Sequence, residues 1–313
     1  MPGKKSFEEQ LIELVDEEQP LTSRILKPLS NLAPDNQQQF QKAWNDSTSE
    51  RKRELTKALV ELGEEDVELD FSTVFMYLLH DPDEIVRANA IDGLWEDETL
   101  DLLRELIPLL ENDISEAVRE KAAISLGRFA ILAELGKLPS RRVRQIRDIL
   151  VAQVKKPGNP LLVTRRALEG LGYYTRDGEV KDLIIKAYQS DALPLRASAL
   201  VAMGRSVDER WLPEIGQELS SVEPELRYEA ARAAGELGSQ ELVMPLFSLI
   251  RDRDSEIRLA AIWALGQLGG NAATRILKEL TTNDDEATRE AAQEALLEVT
   301  FAENPLNVLG ISD

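Results

Sequence analysis

Pro-Glu-Leu-Arg-Tyr-Glu-Ala-Ala-Arg-Ala-Ala-Gly-Glu-Leu-Gly, residues 224–238, is followed by Ser-Glu-Ile-Arg-Leu-Ala-Ala-Ile-Trp-Ala-Leu-Gly-Gln-Leu-Gly, residues 255–269. With Arg227 laid on Arg258, the two stretches are one helix written twice, 31 residues apart. Self-similarity at a fixed period of this length marks a repeat architecture, in which each unit keeps its apolar face dry only against its neighbours.

Outward from this pair, the same pattern extends to both sides. Arg87, Arg119, Arg196, Arg227, Arg258 and Arg289 align, with Thr164 in the third copy; successive spacings are 32, 45, 32, 31, 31 and 31 residues. Three places on stands alanine: Ala90, Ala122, Ala167, Ala199, Ala230, Ala261 and Ala292. A small residue there lets a paired helix come close. Seven places on come Leu94, Leu126, Leu171, Met203, Ala234, Leu265 and Leu296, a core column. Glycine follows in five copies, Gly127, Gly172, Gly204, Gly235 and Gly266.

Each copy opens with a second apolar segment, such as 100–110, 146–154, 180–188, 211–219 and 242–250. Pro108, Pro213 and Pro245 fall inside these segments, which implies a bend or a late start, since interior proline costs roughly 3 kcal/mol. The pairs Asp81-Pro82, Asn159-Pro160 and Glu223-Pro224 read as helix starts. Asp83, Glu223, Asp254 and Asp285 precede the aligned arginines by four residues, the spacing of an i,i+4 ion pair, so the arginine column reads as structural.

The pattern Asp-Pro…Val-Arg…Ala…Leu-Gly in a two-helix unit of about 31 residues resembles the short HEAT-type repeat first grouped with phycobilisome lyases. The resemblance covers residues 70–300. It implies an all-α, right-handed α-solenoid, a superhelix of stacked helical hairpins. It also implies the role of a scaffold or adaptor, with two enzymatic variants on the same architecture: a bilin lyase or isomerase, and a di-iron hydroxylase.

The remaining segments fit around this array. Residues 1–69 read as a helical N-terminal cap: a short amphipathic helix through Phe7, Leu11, Leu14 and Val15, then a degenerate repeat of three helices over 21–32, 35–45 and 50–62. Terminal repeats are expected to be atypical. Residues 301–313 form a tail that could cap the last unit. The 45-residue spacing marks an insertion over 131–144, centred on Gly136-Lys137-Leu138-Pro139-Ser140.

Composition narrows the chemistry. The chain has 313 residues, no cysteine, one histidine and a net charge of −20. Without cysteine there is no disulfide, thiolate metal site or thiol nucleophile. A single histidine, His80, followed by Asp81, does not supply the His-Glu pairs of a di-iron hydroxylase; next to a helix end it reads as a cap. We expect no catalytic residue, no cofactor and no metal. The acidic surface disfavours nucleic acid and suits a partner protein. No apolar run is long enough to span a bilayer and no secretion signal is visible, so a cytoplasmic protein is expected.

Two candidate binding regions follow. Positions 85, 89, 92 and 96 and their equivalents share one helical face, the expected concave side of the array. Down the 92 and 96 columns lie Arg128, Tyr173, Arg205, Arg232 and Trp263, residue types enriched at binding hot spots. The second region is a basic island. Residues 131–170 carry +6 while the rest carry −26, through Lys137, Arg141, Arg142, Arg144, Arg147, Lys155, Lys156, Arg165 and Arg166. It could receive an anion, or its charges could pair with the acidic units beside it. The expected function is thus a non-enzymatic adaptor binding a protein on the concave face. The alternatives are a lyase-like activity and an anion-binding adaptor built on 137–166.

Overall fold

The computed structural model describes residues 5–303; the 304–313 part of the expected tail lies outside them. Among the described residues all regular structure is helical. The chain divides into two compact units between Phe129 and Ala130.

The N-terminal unit begins with α1 (Phe7–Val15), α2 (Ser23–Leu26), α3 (Pro34–Asp46) and α4 (Ser49–Glu65). Helix α1 starts in a reciprocal capping box between Ser6 and Glu9 and buries Leu11 and Leu14. It is held down by Arg51 of α4, whose guanidinium donates to the carbonyls of Leu14 and Gln19. The 21–32 segment departs from expectation. It forms only the four-residue α2 and one 3-10 turn at Lys27–Leu29, because Pro28 enters where a helix would need its N–H. Pro34 begins α3 rather than merely ending the segment before it. Trp44 of α3 is buried and donates from Nε1 to Asp81, 2.7 Å away. The unit continues with α5 (Ser72–Leu78), α6 (Glu84–Gly93), α7 (Leu100–Asn112) and α8 (Glu116–Glu134), the last of which runs through the unit boundary.

The C-terminal unit contains the hairpins α9 (Ser140–Lys155)/α10 (Leu161–Leu171), α11 (Gly178–Tyr188)/α12 (Leu193–Arg205), α13 (Leu212–Glu218)/α14 (Pro224–Leu237), α15 (Val243–Leu249)/α16 (Ser255–Leu268) and α17 (Gly270–Leu280)/α18 (Glu286–Glu303). Each first helix packs on its own second helix, and the second helices α10, α12, α14, α16 and α18 pack in series. This is the α-solenoid arrangement. All seven aligned alanines are fully buried, as are Leu126, Leu171, Met203, Ala234 and Leu265 of the core column. Pro213 sits in the first turn of α13 and Pro245 at the third position of α15, each behind a 3-10 turn. There the missing N–H has no intrahelical partner to lose. Pro108 alone of the three is interior, in α7.

The arginine column is structural, but not through i,i+4 pairs. Asp83, Asp254 and Asp285 instead cap the N-termini of α6, α16 and α18 with their carboxylates. The arginines reach elsewhere. Arg87 donates to the carbonyls of Asp81 and Pro82 in its own turn and grips Asp113 in the next turn at 2.7 and 2.8 Å. Arg227 repeats this with Ser221, Val222 and Asp252. Arg258 takes the carbonyls of Asp252 and Arg253 and approaches Asp285 at 3.9 Å. Hydrogen bonding to Arg227 holds the Asp252 carboxyl below the usual range. A planar five-donor fork is what lets one side chain tie two successive turns together. Of the three proline starts, only Glu223-Pro224 places proline at the first helical position; α6 begins at Glu84 and α10 at Leu161, each beyond its proline.

The glycine column marks the closest approach of successive second helices. A Cβ on Gly204 would lie 2.7 Å from Ala233 Cα, and one on Gly266 2.8 Å from Ala295 Cβ. Gly204→Ala is therefore expected to destabilise the fold by about 1–3 kcal/mol. Gly178→Ala, in a position open to solvent, should instead gain about 0.4–1 kcal/mol. Urea denaturation of both variants beside the parent checks the contrast.

Candidate interaction surface on the second helices

On the exposed side of the C-terminal unit, the sequence-derived residues pair across neighbouring repeats. Tyr173 follows α10, and the Arg205 guanidinium at the end of α12 lies 5.6 Å from its ring centre. Arg232 of α14 stacks on Trp263 of α16 at 3.7 Å. The Trp263 ring fills the space a side chain on Gly235 would need, with its Cζ3 atom 2.4 Å from the would-be Cβ. Trp263 is thus half-buried, packed against Gly235 and stacked by Arg232. Stacking of this kind is worth about 0.5–1 kcal/mol where exposed and more when dry, so these pairs also stiffen the array. Glu236 stands beside Gly204 and interacts with both Arg205 and Arg232. Arg128 is not part of this set. It belongs to the N-terminal unit, half-buried near Glu96, Asp97 and Glu98, and burial lowers its affinity for the proton.

One helical turn earlier on the same helices lies a polar network. Ser198 Oγ of α12 donates to Glu169 of α10 at 2.7 Å and accepts from Arg165 Nε at 2.9 Å. Arg166 holds both oxygens of Glu169 at 3.0 and 3.2 Å. Glu169 is nearly buried, and this bonding satisfies its carboxylate. Glu229 of α14 faces the same cluster. Burial, and then repulsion from Glu169, push its carboxyl up to about 7, against the opposing pull of Arg165 and Arg232. This network was missed from the sequence. Its signal is the 89 column, which places Arg166, Ser198 and Glu229 on successive second helices, beside the 92 column that holds Glu169.

The basic island divides in two. Arg147 is bound by Asp177, Glu179 and Asp148, Lys155 pairs with Glu179, and Arg165 and Arg166 belong to the network above. Arg142 donates to Gln145. Lys137, Arg141 and Arg144, in the inserted loop and the first turns of α9, and Lys156, at the end of α9, are exposed and make no ion pair among the described residues. The loop turns on Gly136 at φ 69°, with Lys137 N donating back to the Leu132 carbonyl.

Elsewhere, His80 does not cap its helix: its ring Nε2 lies 3.1 Å from Glu105 of α7. Among the described residues no group of three or more His, Asp or Glu side chains is placed to hold a metal ion, and no helix is long and apolar enough to cross a membrane.

Comparison with known proteins accords with this geometry. The family model for HEAT repeats matches residues 72–146 and 212–297. No curated protein sequence matches the chain. Among solved structures, the complex of CpcE and CpcF of phycocyanin lyase from Nostoc sp. PCC7120 is similar at 19% identity and a TM-score of 0.53, over 76% of this chain and 94% of that one. Human deoxyhypusine hydroxylase in complex with glycerol aligns at 18% identity over 94% of this chain and 95% of that one, with a TM-score of 0.31. An engineered protein aligns at 16% identity over 94% and 88%, with a TM-score of 0.42. At such identities the likeness to the lyase complex is one of fold.

The raised Glu229 carboxyl has a definite sign. The folded chain holds that proton more tightly than the unfolded chain, so between the ordinary glutamate range and pH 7 the native state binds more protons and stability falls as pH rises. Glu229→Gln removes the penalty. Its melting temperature should exceed that of the parent at pH 8 and match it near pH 4.5, as read by calorimetry at the two pH values.

Proposed function

Because the chain belongs to the HEAT-repeat family, we propose that it is a non-enzymatic scaffold that binds a partner protein on the exposed side of the second helices α10, α12, α14 and α16. The observation that supports this reading most is the pair of cation–aromatic stacks, Tyr173/Arg205 and Arg232/Trp263, on consecutive repeats. Side chains held by a neighbour lose little further freedom on binding, which is how arginine and tryptophan come to dominate interfaces. Arg165, Arg166 and Glu229, the half-buried members of the polar network one turn away, would form the rim of such a contact. Columns that vary in character along the array, beside an invariant alanine column and an apolar core column, fit a surface that reads one partner segment per repeat.

A lyase-like activity draws support from fold likeness alone, since no residue of this chain can be assigned a role in pigment chemistry. The anion-binding reading has a more specific basis: Lys137, Arg141 and Arg144 are exposed and unpaired in a strongly acidic protein. It would apply to an acidic segment of a partner meeting the insertion.

Affinity purification of the full chain from its native host, with mass spectrometry, should return a partner whose recovery falls at least tenfold with Arg232→Ala/Trp263→Ala, both variants remaining folded by circular dichroism. Unchanged recovery would remove the second helices from the interface. Charge reversal at Arg141, Arg142 and Arg144 separates the two surfaces: it should leave that partner bound if the stacks carry the contact, and abolish a salt-sensitive association if the insertion does.

A further inference from the structure

Two of the seven copies lack the glycine: the last, where Leu297 follows Leu296, and the first, which lies in the N-terminal unit. Where five copies carry glycine after the core residue, the first carries Trp95 after Leu94. Helix α6 stops two residues before it, at Gly93, whereas α12, α14 and α16 run past their own glycines. Trp95 is 52% exposed, the largest side chain on the unit's surface to be so. Beside it opens a cavity of about 480 Å³ between the C-terminal ends of α4 and α6 and the start of α5. Its floor is Phe71 and Phe75, both buried and set edge to face at 6.4 Å between ring centres. Gly93 is required for that floor, since a Cβ there would fall 2.3 Å from the Phe75 ring. Val67, 86% exposed, stands on the wall formed by the turn after α4.

The rim is anionic. Glu64, Glu96 and Glu98 are exposed and make no hydrogen bond or ion pair among the described residues, while Asp70 and Asp97 spend an oxygen each on Ser72 and Thr99 N–H groups. Arg128 of α8 offsets part of the charge near Glu96 and Glu98. An apolar floor, an open tryptophan face and carboxylates that Arg128 offsets only in part together match one kind of occupant: a long aliphatic stem ending in a cation. Arginine fits better than lysine, because a guanidinium lies flat on indole while donating in its plane to carboxylates.

We propose that the Trp95 cavity is a docking site for an arginine side chain on a basic peptide segment of a partner protein. The site is independent of the stacked pairs on the C-terminal second helices. The occupant follows from charge complementarity: a chain of net charge −20 draws basic segments, and this cavity is where that attraction meets an aromatic face and an apolar floor.

The test uses the full chain, labelled with nitrogen-15, and two synthetic peptides, acetyl-Gly-Ser-Arg-Leu-Arg-Ser-Gly-amide and its counterpart with glutamate for arginine. The Trp95 indole N–H signal is assigned by its loss in Trp95→Phe. Saturable movement of that signal with the arginine peptide, and none with the glutamate peptide, is the expected result. Affinity should fall at least tenfold in Glu64→Gln/Glu96→Gln/Glu98→Gln and at least fivefold in Trp95→Ala, both measured by calorimetry. Equal response to the two peptides, an unmoved indole signal at millimolar peptide, or undiminished affinity in the triple variant would overturn the proposal. A lysine-for-arginine peptide binding as tightly would overturn the preference for guanidinium.

Discussion

Everything in the C-terminal unit rests on how closely two second helices can approach. Glycine at 172, 204 and 266 puts helix backbone or alanine within about 3 Å of where a side chain would begin. Contact at that range leaves no room for a repeat to tilt or slide, so the apolar faces of successive hairpins meet without voids. The fully buried alanine column serves the same end from the other side of the helix. Once the backbones are this close, the arginine of one turn can reach both the carbonyls beside it and the aspartate of the next turn. Packing sets the distance, and the polar joint then fixes the register along it.

Much of this was legible beforehand because repetition averages out local ambiguity. Seven aligned copies made the helix pairs and the buried columns plain. The failures fall where repetition gives no help. The 21–32 segment has helical spacing, but Pro28 and a lack of neighbouring copies left its two short turns unseen. The partners of the arginines were misassigned because spacing along one helix was visible, while the aspartate 25 or 26 residues on could be recognised only once the turns were adjacent in space. Of the interaction surface, the residue types were legible and their pairing was not. Arg232 and Trp263 are 31 residues apart, one repeat, and stack because that interval returns the chain to the same face.

Charge is distributed by the same logic. Four of the nine cations of the basic island are consumed within the fold: Arg147, Lys155, Arg165 and Arg166 each meet a carboxylate. Among the described residues, Lys137, Arg141 and Arg144, in and just after the insertion that breaks the period, and Lys156, at the end of α9, make no ion pair. On the acidic side, carboxylates that cap helices or hold arginines are committed to the structure, Asp70 and Asp97 beside Trp95 among them, whereas Glu64, Glu96 and Glu98 form no hydrogen bond or ion pair among the described residues.

The arginine joints have a consequence for the history of such a chain. Arg87 and Arg227 each take part in a joint whose other half, Asp113 or Asp252, is supplied by the following hairpin. A hairpin copied in frame would bring along both halves it owes, and the array could lengthen or shorten without inventing any contact. Duplication would multiply the framework unchanged, while divergence would be free to act on the outward columns. A tryptophan in place of a spacer glycine is the sort of mark such divergence leaves behind.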